Sequence, residues 1–277
     1  MKPKGGKATN VPMNPPDQQL AQPPPQRGTL FTRLRSYCLF VPVVYLYTGI
    51  MGTLALIASL FDGSGRVQHW FARTWSSMIL KTIGIRVRVV GEEHLQGIPH
   101  AVFAANHLSA LDIPVLYSSL PGRFHIMAKQ ELFRYPFVGW YLKRSGQIPI
   151  AYGDAHASLR SLNRAGEALR KGVPLMIFPE GGRSATGQLK PFMGGAFFVA
   201  IRAQVPVVPM AIVGTFEALP INSFHILPGE IVLAIGQPIP TEGMRVRDMD
   251  NLSAKVKQVI ADLYDAHTRG ALQEQVR

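Results

Sequence analysis

The sequence predicts an α/β fold with a largely parallel central sheet of about seven strands flanked by helices, preceded by an apolar N-terminal helical segment. Three observations lead to this fold class. Short runs rich in β-branched residues alternate with helical patterns from residue 85 onward. Polar residues directly follow two of these runs, and a long uncharged stretch precedes them all.

The composition indicates a folded chain with an anionic partner. Of the 277 residues, 47% are hydrophobic, which is enough for a sizeable core and high enough to indicate a membrane segment. The net charge of +12 favours anionic membrane lipid or a phosphorylated substrate. Nucleic acid is not expected, because the chain has no RNP-like aromatic pattern, zinc-finger spacing or heptads. The single cysteine, Cys38, excludes an intramolecular disulfide, and the scattered histidines predict no metal site.

The N-terminal residues divide into a tail and an apolar helical segment. Residues 1–29 hold seven prolines and few large apolar side chains, so we predict a disordered tail. Residues 30–84 are expected to form a membrane-associated helical segment. Within it, Tyr37–Leu60 is 24 residues without a charge, and about 20 suffice to span a bilayer. Basic residues flank both ends, so a helix that enters and returns, or lies on the surface, stays an alternative to one that spans.

Two features inside this segment need a structural explanation. Pro42 is expected to lie near the start of the apolar helix or to kink it. Val67–Ile83 is predicted to be an amphipathic helix, either interfacial or packed on the core. Its predicted apolar side consists of Trp70, Phe71, Trp75, Met78 and Ile79.

The rest of the chain alternates strands and helices. A helix is predicted over Asp154–Lys171, with Asp154 as its cap and Gly172 at its end, and another over Val246–Arg269. In a parallel sheet, reactive groups tend to follow the carboxyl ends of strands. The predicted strands are Ile85–Val90, Ala101–Ala105, Phe124–Ala128, Gln147–Ile150, Leu175–Phe178, Val207–Val213 and Ile231–Gly236.

The stretch NHLSALD, which follows the second predicted strand, offers a proton acceptor and an orienting carboxylate. The imidazole of His107 can accept a hydroxyl proton near neutral pH, and Asp112 can hold its other nitrogen. Five residues of straight helix would separate the two side chains by about 140°, so they meet only if the chain turns between them. The alternative is a turn and a helix cap, since Ser109 and Asp112 have capping-box spacing.

A second stretch, PLMIFPEGGRS, places an acid, two glycines and an arginine after another strand. Glycines allow a ligand to approach the backbone closely, and the guanidinium of Arg183 suits a phosphate. The stretch is not a P-loop, because no GK[ST] follows, and it lacks the closing glycine of a G-x-S-x-G nucleophile elbow. A glycine-rich turn with a surface arginine is the alternative.

Four motifs together resemble the glycerolipid acyltransferase family, the 1-acylglycerol-3-phosphate acyltransferases. NHLSALD resembles its N-H-x4-D motif, and FPEGGRS its F-P-E-G-T-R-S block with Gly182 in place of threonine. AKQELFRYPFVGW, Ala128–Trp140, is similar to A-K-x-E-L-x-x-x-P-x-x-G-W, and VPVVPMAI, Val205–Ile212, to a V-P-[IV]-V-P block. The resemblance covers residues 85–236 and implies an acyltransferase catalytic domain over residues 85–270.

The resemblance implies transfer of an acyl group from acyl-CoA or acyl carrier protein to the sn-2 hydroxyl of lysophosphatidic acid, giving phosphatidic acid without a cofactor. His107 would be the general base and Asp112 its orienting partner. Glu180 and Arg183 would hold the glycerol phosphate, with Lys129 as a second phosphate contact. Gly181 and Gly182 would shape the pocket. A membrane location with the catalytic domain on the cytoplasmic side is expected.

One departure from the family pattern loosens the choice of acceptor. The family often has an acidic residue and an arginine after its third block, as in I-P-I-D-R, whereas Ala151 and Tyr152 follow IPI here. Arg144 or Arg160 is a candidate replacement. Another lysophospholipid or lipid acceptor therefore remains an alternative, as does a non-catalytic basic membrane-binding protein on the same fold.

Overall fold

The computed structural model describes residues 28–150 and 155–274, and in them seven strands form one sheet. The predicted α/β fold is confirmed. Two strands have the predicted ranges, and the others differ by one or two residues at their ends. The strands are β1 (Ile85–Val90), β2 (Val102–Ala105), β3 (His125–Lys129), β4 (Ile148–Ile150), β5 (Leu175–Ile177), β6 (Val207–Val213) and β7 (Gly229–Ile235).

The sheet is largely parallel, as predicted, and its order is β1-β7-β6-β2-β5-β3-β4. The five strands from β6 to β4 run in one direction. β7 is antiparallel to β6 and parallel to β1, so these two strands run the opposite way. The carboxyl ends of β6, β2, β5 and β3 therefore lie side by side along one edge of the sheet.

Helices cover both faces of the sheet. Five of them carry most of the packing: α3 and α4 on one face, and α6, α7 and α9 on the other. The helices are α1 (Leu30–Arg35), a π-helical turn (Ser36–Phe40), α2 (Val41–Ala58), α3 (Arg66–Thr82), α4 (Asp112–Ser119), α5 (Val138–Arg144), α6 (Ala155–Arg170), α7 (Phe198–Ala203), α8 (Thr215–Ala218) and α9 (Met249–Glu274).

The central strands are apolar throughout because each face of the sheet is buried. Successive side chains of a strand point to opposite faces, and in β2 Phe103 and Ala105 contribute to one core cluster while Val102 and Ala104 contribute to the other. Strands buried on both sides read as continuous apolar runs, which is why period-two alternation is weak in this sequence.

The N-terminal helix is continuous through Pro42. Leu30–Ala58 is the one helix in the described part of the chain that is long and apolar enough to cross a membrane, and 11% of its most apolar window is buried. Pro42 lies in the first turn of α2, directly after the π-helical turn. Proline cannot donate a backbone hydrogen bond, and a widened turn before it accommodates that loss without ending the helix.

The predicted apolar side of α3 faces the core at one position, α2 at another and solvent at a third. Ile79 is buried in the core, whereas Trp70 is 59% exposed. The Trp75 indole N–H donates to the Thr48 hydroxyl of α2 at 3.0 Å. Because α3 packs on α4 and β1, the core-packing interpretation describes most of this helix.

Two further predictions concern the ends of helices. Gly172 has a positive φ of 77°, and its N–H donates to the Leu169 carbonyl at 3.0 Å, as expected at a helix end. The predicted cap Asp154 lies outside the described residues, as does the tail before residue 28. The C-terminal helix packs against β6 and β7 and extends beyond its predicted end.

Acid is expected to destabilise this fold through two imidazoles. Burial, with a smaller contribution from nearby Arg123, lowers the pKa of His69 on α3 and of His125 on β3 from 6.5 to about 4. The unfolded chain then takes up protons between pH 6.5 and about 4 that the folded chain does not. Their contribution to stability is therefore complete above pH 6.5 and is lost as the pH falls toward 4.

Urea unfolding at about pH 7.5 and about pH 5 tests this expectation, because the free energy of unfolding should fall between the two. His125→Gln removes one of the titrating groups, so the difference between the two conditions should shrink. An identical difference in the variant would contradict the assignment.

Candidate active site

The site lies where the carboxyl ends of β2, β5 and β3 meet. His107 follows β2, Glu180 follows β5, and Lys129 ends β3. β5 lies between the other two strands in the sheet, so the two sequence motifs become neighbours. This edge is where open α/β sheets place their ligands.

The end of β2 is fixed by the side chain before His107. Asn106 is fully buried, its amide donates to the Ile212 carbonyl at 2.9 Å, and its carbonyl accepts the Ile212 N–H at 2.7 Å. Both bonds reach β6, so Asn106 takes the place of a further residue in the β2–β6 ladder. No role was predicted for Asn106 from the sequence. Its two hydrogen bonds hold the backbone that leads into His107 in place relative to the sheet.

His107 and Asp112 form the predicted pair. Nδ1 of His107 lies 2.7 Å from Oδ2 of Asp112, and the same oxygen accepts the N–H groups of Leu108 and Ser109 at 2.8 and 2.9 Å. The chain turns between the two residues, as the pairing requires. Since the carboxylate accepts at Nδ1, that nitrogen carries the proton, and Nε2 keeps the lone pair that a general base needs.

The Asp112 carboxylate serves both the pair with His107 and the turn before α4. Asp112 is the first residue of α4, and its carboxylate accepts the N–H of Ser109, three residues earlier, which is one of the two bonds of a capping box. The Ser109 hydroxyl donates to the Leu219 carbonyl at 2.6 Å, which fixes the turn to the loop after α8. Asp112 is completely buried, and its Oδ1 has no hydrogen-bond partner among the described residues.

The ring of Phe178 stacks on the imidazole of His107 and restricts its orientation. Its ring lies 4.1 Å from that of His107, centroid to centroid, with 21° between the planes. The His107 side chain is 18% exposed, so one edge of the ring stays accessible. Only the three-dimensional structure reveals the role of Phe178. In the sequence it is simply the last apolar residue before Pro179.

Glu180 joins the two motifs through main-chain hydrogen bonds. One carboxylate oxygen accepts the His107 N–H at 2.9 Å, and the other accepts the Lys190 N–H at 3.0 Å. Burial raises the pKa of this carboxyl, while the two N–H groups act in the opposite direction. With both oxygens engaged by the backbone, the carboxylate is a support for His107. A carboxylate has no hydrogen-bond donor to offer a phosphate, and Glu180 is buried, so it does not make the phosphate contact that the resemblance implies.

The glycines after Glu180 form a tight turn beside the dyad. Gly181 has a positive φ of 69°, which favours glycine, and its N–H donates to the Phe178 carbonyl at 3.0 Å. The Ser184 N–H donates to the His107 carbonyl at 2.9 Å, so the turn lies directly against His107. A Cβ on Gly182 would lie 3.6 Å from the Lys129 ammonium nitrogen.

The remaining basic candidates lie in different places. Arg183 is half-buried, and no hydrogen bond or ion pair with another described residue holds its guanidinium. Arg144 lines a groove between α2 and α5, and Arg160 lines a separate cavity beside β4. Positions 151 and 152 are outside the described residues. Within the described ranges, no group of three or more His, Cys, Asp or Glu side chains is placed to hold a metal ion.

Comparisons with known proteins agree with this geometry. The model of a family described as Acyltransferase matches residues 86–213, which contain His107, Asp112 and Glu180. The chain is 33% identical over 216 residues to a chloroplastic 1-acyl-sn-glycerol-3-phosphate acyltransferase of Brassica napus, covering 77% of this chain and 61% of that protein. It is 31% identical over 218 residues to 1-acyl-sn-glycerol-3-phosphate acyltransferase of Saccharomyces cerevisiae, covering 77% and 72%.

A solved structure shares the fold. The 1-acyl-sn-glycerophosphate acyltransferase PlsC from Thermotoga maritima superposes with a TM-score of 0.71 at 24% identity, covering 89% of this chain and 98% of that one. The chain spans about three fifths of the Brassica protein and nearly three quarters of the yeast protein. On the yeast relative's identity and coverage, together with the matched domain, the chain belongs to the 1-acyl-sn-glycerol-3-phosphate acyltransferase family.

Proposed function

We propose that this protein is a membrane-associated O-acyltransferase of phospholipid biosynthesis. It transfers a fatty acyl group from acyl-CoA or acyl carrier protein to the sn-2 hydroxyl of 1-acylglycerol-3-phosphate and releases phosphatidic acid. The observation that carries the proposal is the 2.7 Å contact between His107 and Asp112, which leaves Nε2 as a base. Relatives named for this reaction support the choice of substrate.

The dyad accounts for each proton in the transfer. Nε2 of His107 takes the proton of the acceptor hydroxyl as its oxygen attacks the thioester carbonyl. The buried carboxylate of Asp112 stabilises the imidazolium that results. As the new C–O bond is completed, the C–S bond breaks, and the imidazolium returns the proton to the leaving thiolate. The acyl group passes directly between substrates, so the proposal needs neither a covalent acyl-enzyme nor a cofactor.

The phosphate of the acceptor is assigned to the basic groups beside the glycine turn. Lys129 and Arg183 are the expected contacts, and Gly181 and Gly182 give the ligand access to the turn. Glu180 is assigned a supporting role and no phosphate contact, because its two main-chain hydrogen bonds hold the His107 loop against this turn.

Exposed apolar side chains support membrane association. Large apolar side chains of α1 and α2 are exposed along the helix, and a second exposed group occupies residues 132–140, including Phe137 and Trp140. The end of α2 and α5 enclose a groove of about 440 Å³, whose apolar lining includes Leu60 and Trp140 and whose basic residues are Lys143 and Arg144. Apolar side chains with basic residues beside them suit an anionic lipid surface. We place the catalytic domain on the cytoplasmic side, where both acyl donors occur.

A different lipid acceptor is the second candidate. It is favoured by Ala151 and Tyr152, which stand where relatives of the I-P-I-D-R type carry an acid and an arginine. A non-catalytic membrane-binding protein is less consistent with the site, because a carboxylate that aligns an imidazole serves no purpose in lipid binding alone.

Acyl transfer by purified, detergent-solubilised protein tests the proposal. The acceptors are lysophosphatidic acid and a panel of other lysolipids, offered with acyl-CoA and with acyl carrier protein. A mock purification from the same host without the protein controls for contaminating enzymes. Phosphatidic acid above the mock level is the expected result. Transfer only to another acceptor would favour the second candidate, and no transfer to any acceptor would contradict the enzyme.

A further inference from the structure

Two ammonium groups converge on the glycine turn beside His107. A Cβ built on Gly182 would lie 3.6 Å from Nζ of Lys129 and 4.0 Å from Nζ of Lys190. Lys129 comes from the end of β3, and Lys190 from the segment ten residues after Glu180. Because residue 182 has no side chain, the space between the two cations and the turn is left open.

In the described part of the chain, no ion pair holds either of these cations. Within residues 28–150 and 155–274, neither ammonium lies within ion-pair distance of a carboxylate. The nearby carboxylate of Glu180 has both oxygens bound to backbone N–H groups. The Lys190 ammonium donates a 3.3 Å hydrogen bond to the Gly182 carbonyl, which carries no compensating charge.

Lys190 is a half-buried cation with a second cation beside it. Burial lowers the pKa of this lysine, Glu180 acts in the opposite direction, and Lys129 lowers it further. Two like charges held together disfavour each other, and an anion between them reverses that effect. A phosphate monoester carries close to two negative charges at neutral pH and several acceptor oxygens, so it suits two adjacent ammonium groups.

The glycine turn beside the two lysines also borders His107. The turn is tied to the base by the hydrogen bond from Ser184 N–H to the His107 carbonyl at 2.9 Å. In 1-acylglycerol-3-phosphate, the reacting hydroxyl and the phosphate are on adjacent carbons of the glycerol. A phosphate at Gly182 therefore holds the hydroxyl near the imidazole, which is where the base needs it.

We propose that Lys190 binds the phosphate monoester of the acceptor lipid together with Lys129, across the open position at Gly182. The inference rests on the proposed function and makes it more specific, because it assigns the site to an acceptor with a phosphate monoester.

Lys190→Met tests this assignment with little disturbance of the dyad. The hydrogen bond to Glu180 comes from the backbone of residue 190, so the substitution leaves the support of His107 in place. We expect the KM for lysophosphatidic acid to rise about 10–100-fold, the range for loss of a charged hydrogen bond, with kcat changing less than KM. With 1-monoacylglycerol, which has no phosphate, the variant should match the wild type. Lys190→Arg should recover part of the affinity.

The matched control is Lys171→Met, which removes the same charge from an exposed position after α6, at the opposite edge of the sheet. It should leave both acceptors unchanged. Equal losses on the phosphorylated and the phosphate-free acceptor in Lys190→Met would overturn the inference, since they would show a structural role. An unfolding midpoint equal to that of the wild type shows that the variant is folded.

Direct binding separates this inference from the proposed reaction. Calorimetric titration of the full, detergent-solubilised chain with glycerol 3-phosphate requires no turnover. Weaker binding in Lys190→Met than in Lys171→Met supports the phosphate site even if no acyl transfer is found. Equal affinities in the two variants would overturn it even if the wild type is an active acyltransferase.

Discussion

His107→Ala is expected to lower kcat for acyl transfer by about 10²–10⁴-fold, the range for loss of a general base. The KM for the acceptor should change less, because the basic groups beside Gly182 remain. The physical reason is that Nε2 is the nitrogen of the dyad left to accept the hydroxyl proton once Asp112 holds Nδ1. Steady-state rates with acyl-CoA and lysophosphatidic acid measure the effect.

His100→Ala is the matched control for this variant. His100 is exposed and precedes β2, so it lies at the edge of the sheet opposite His107. The control should retain the wild-type rate. If His107→Ala keeps a kcat near that of the wild type while folded, the NHLSALD motif is a turn and a cap without a catalytic role.

Asp112→Asn is expected to reduce kcat by up to about 10⁴-fold, the loss found when the carboxylate of a serine-protease triad is replaced by its amide. The amide oxygen can still accept the N–H groups that Oδ2 accepts now. The negative charge is lost, however, so an imidazolium formed during the reaction is no longer stabilised. The amide nitrogen would also occupy the buried position of Oδ1, which has no described partner.

Steady-state rates and unfolding midpoints together separate the electrostatic role of Asp112 from a structural one. A carboxylate that stabilises the imidazolium acts after the acceptor has bound, so kcat should fall while the KM for the acceptor changes less. A wild-type kcat combined with a lower unfolding midpoint would show that Asp112 only supports the turn before α4. Asp262→Asn, at an exposed position on α9, controls for the loss of one carboxylate and should leave the rate unchanged.

The sequence alone determined the strands and the two motifs that follow them. Runs such as Val207–Val213 are apolar and β-branched because strands covered on both faces leave few positions for polar residues. The apolar N-terminal helix could also be predicted from the sequence, because an uncharged stretch of that length is typical of a membrane-associated helix. In each case the signal is local, so a window of the sequence contains it.

The contacts that assemble the site are not local, and only the tertiary structure decided them. The sheet order that places β5 between β2 and β3, and the reversal at β7, depend on packing across the whole domain. Glu180 reaches His107 across 73 positions of the chain. The sequence marked both residues but did not show that the carboxylate would bind backbone N–H groups.

Lys190 is the clearest example of a residue whose proposed role depends on contacts that are distant in the sequence. In the sequence it is one of 29 lysines and arginines, and nothing near it distinguishes it from a solvated surface residue. Its role follows from its distance to a glycine in another turn and to a lysine at the end of another strand. Local propensities determine which segments become strands and helices, whereas the chemistry of a site depends on which of their ends the packed sheet brings together.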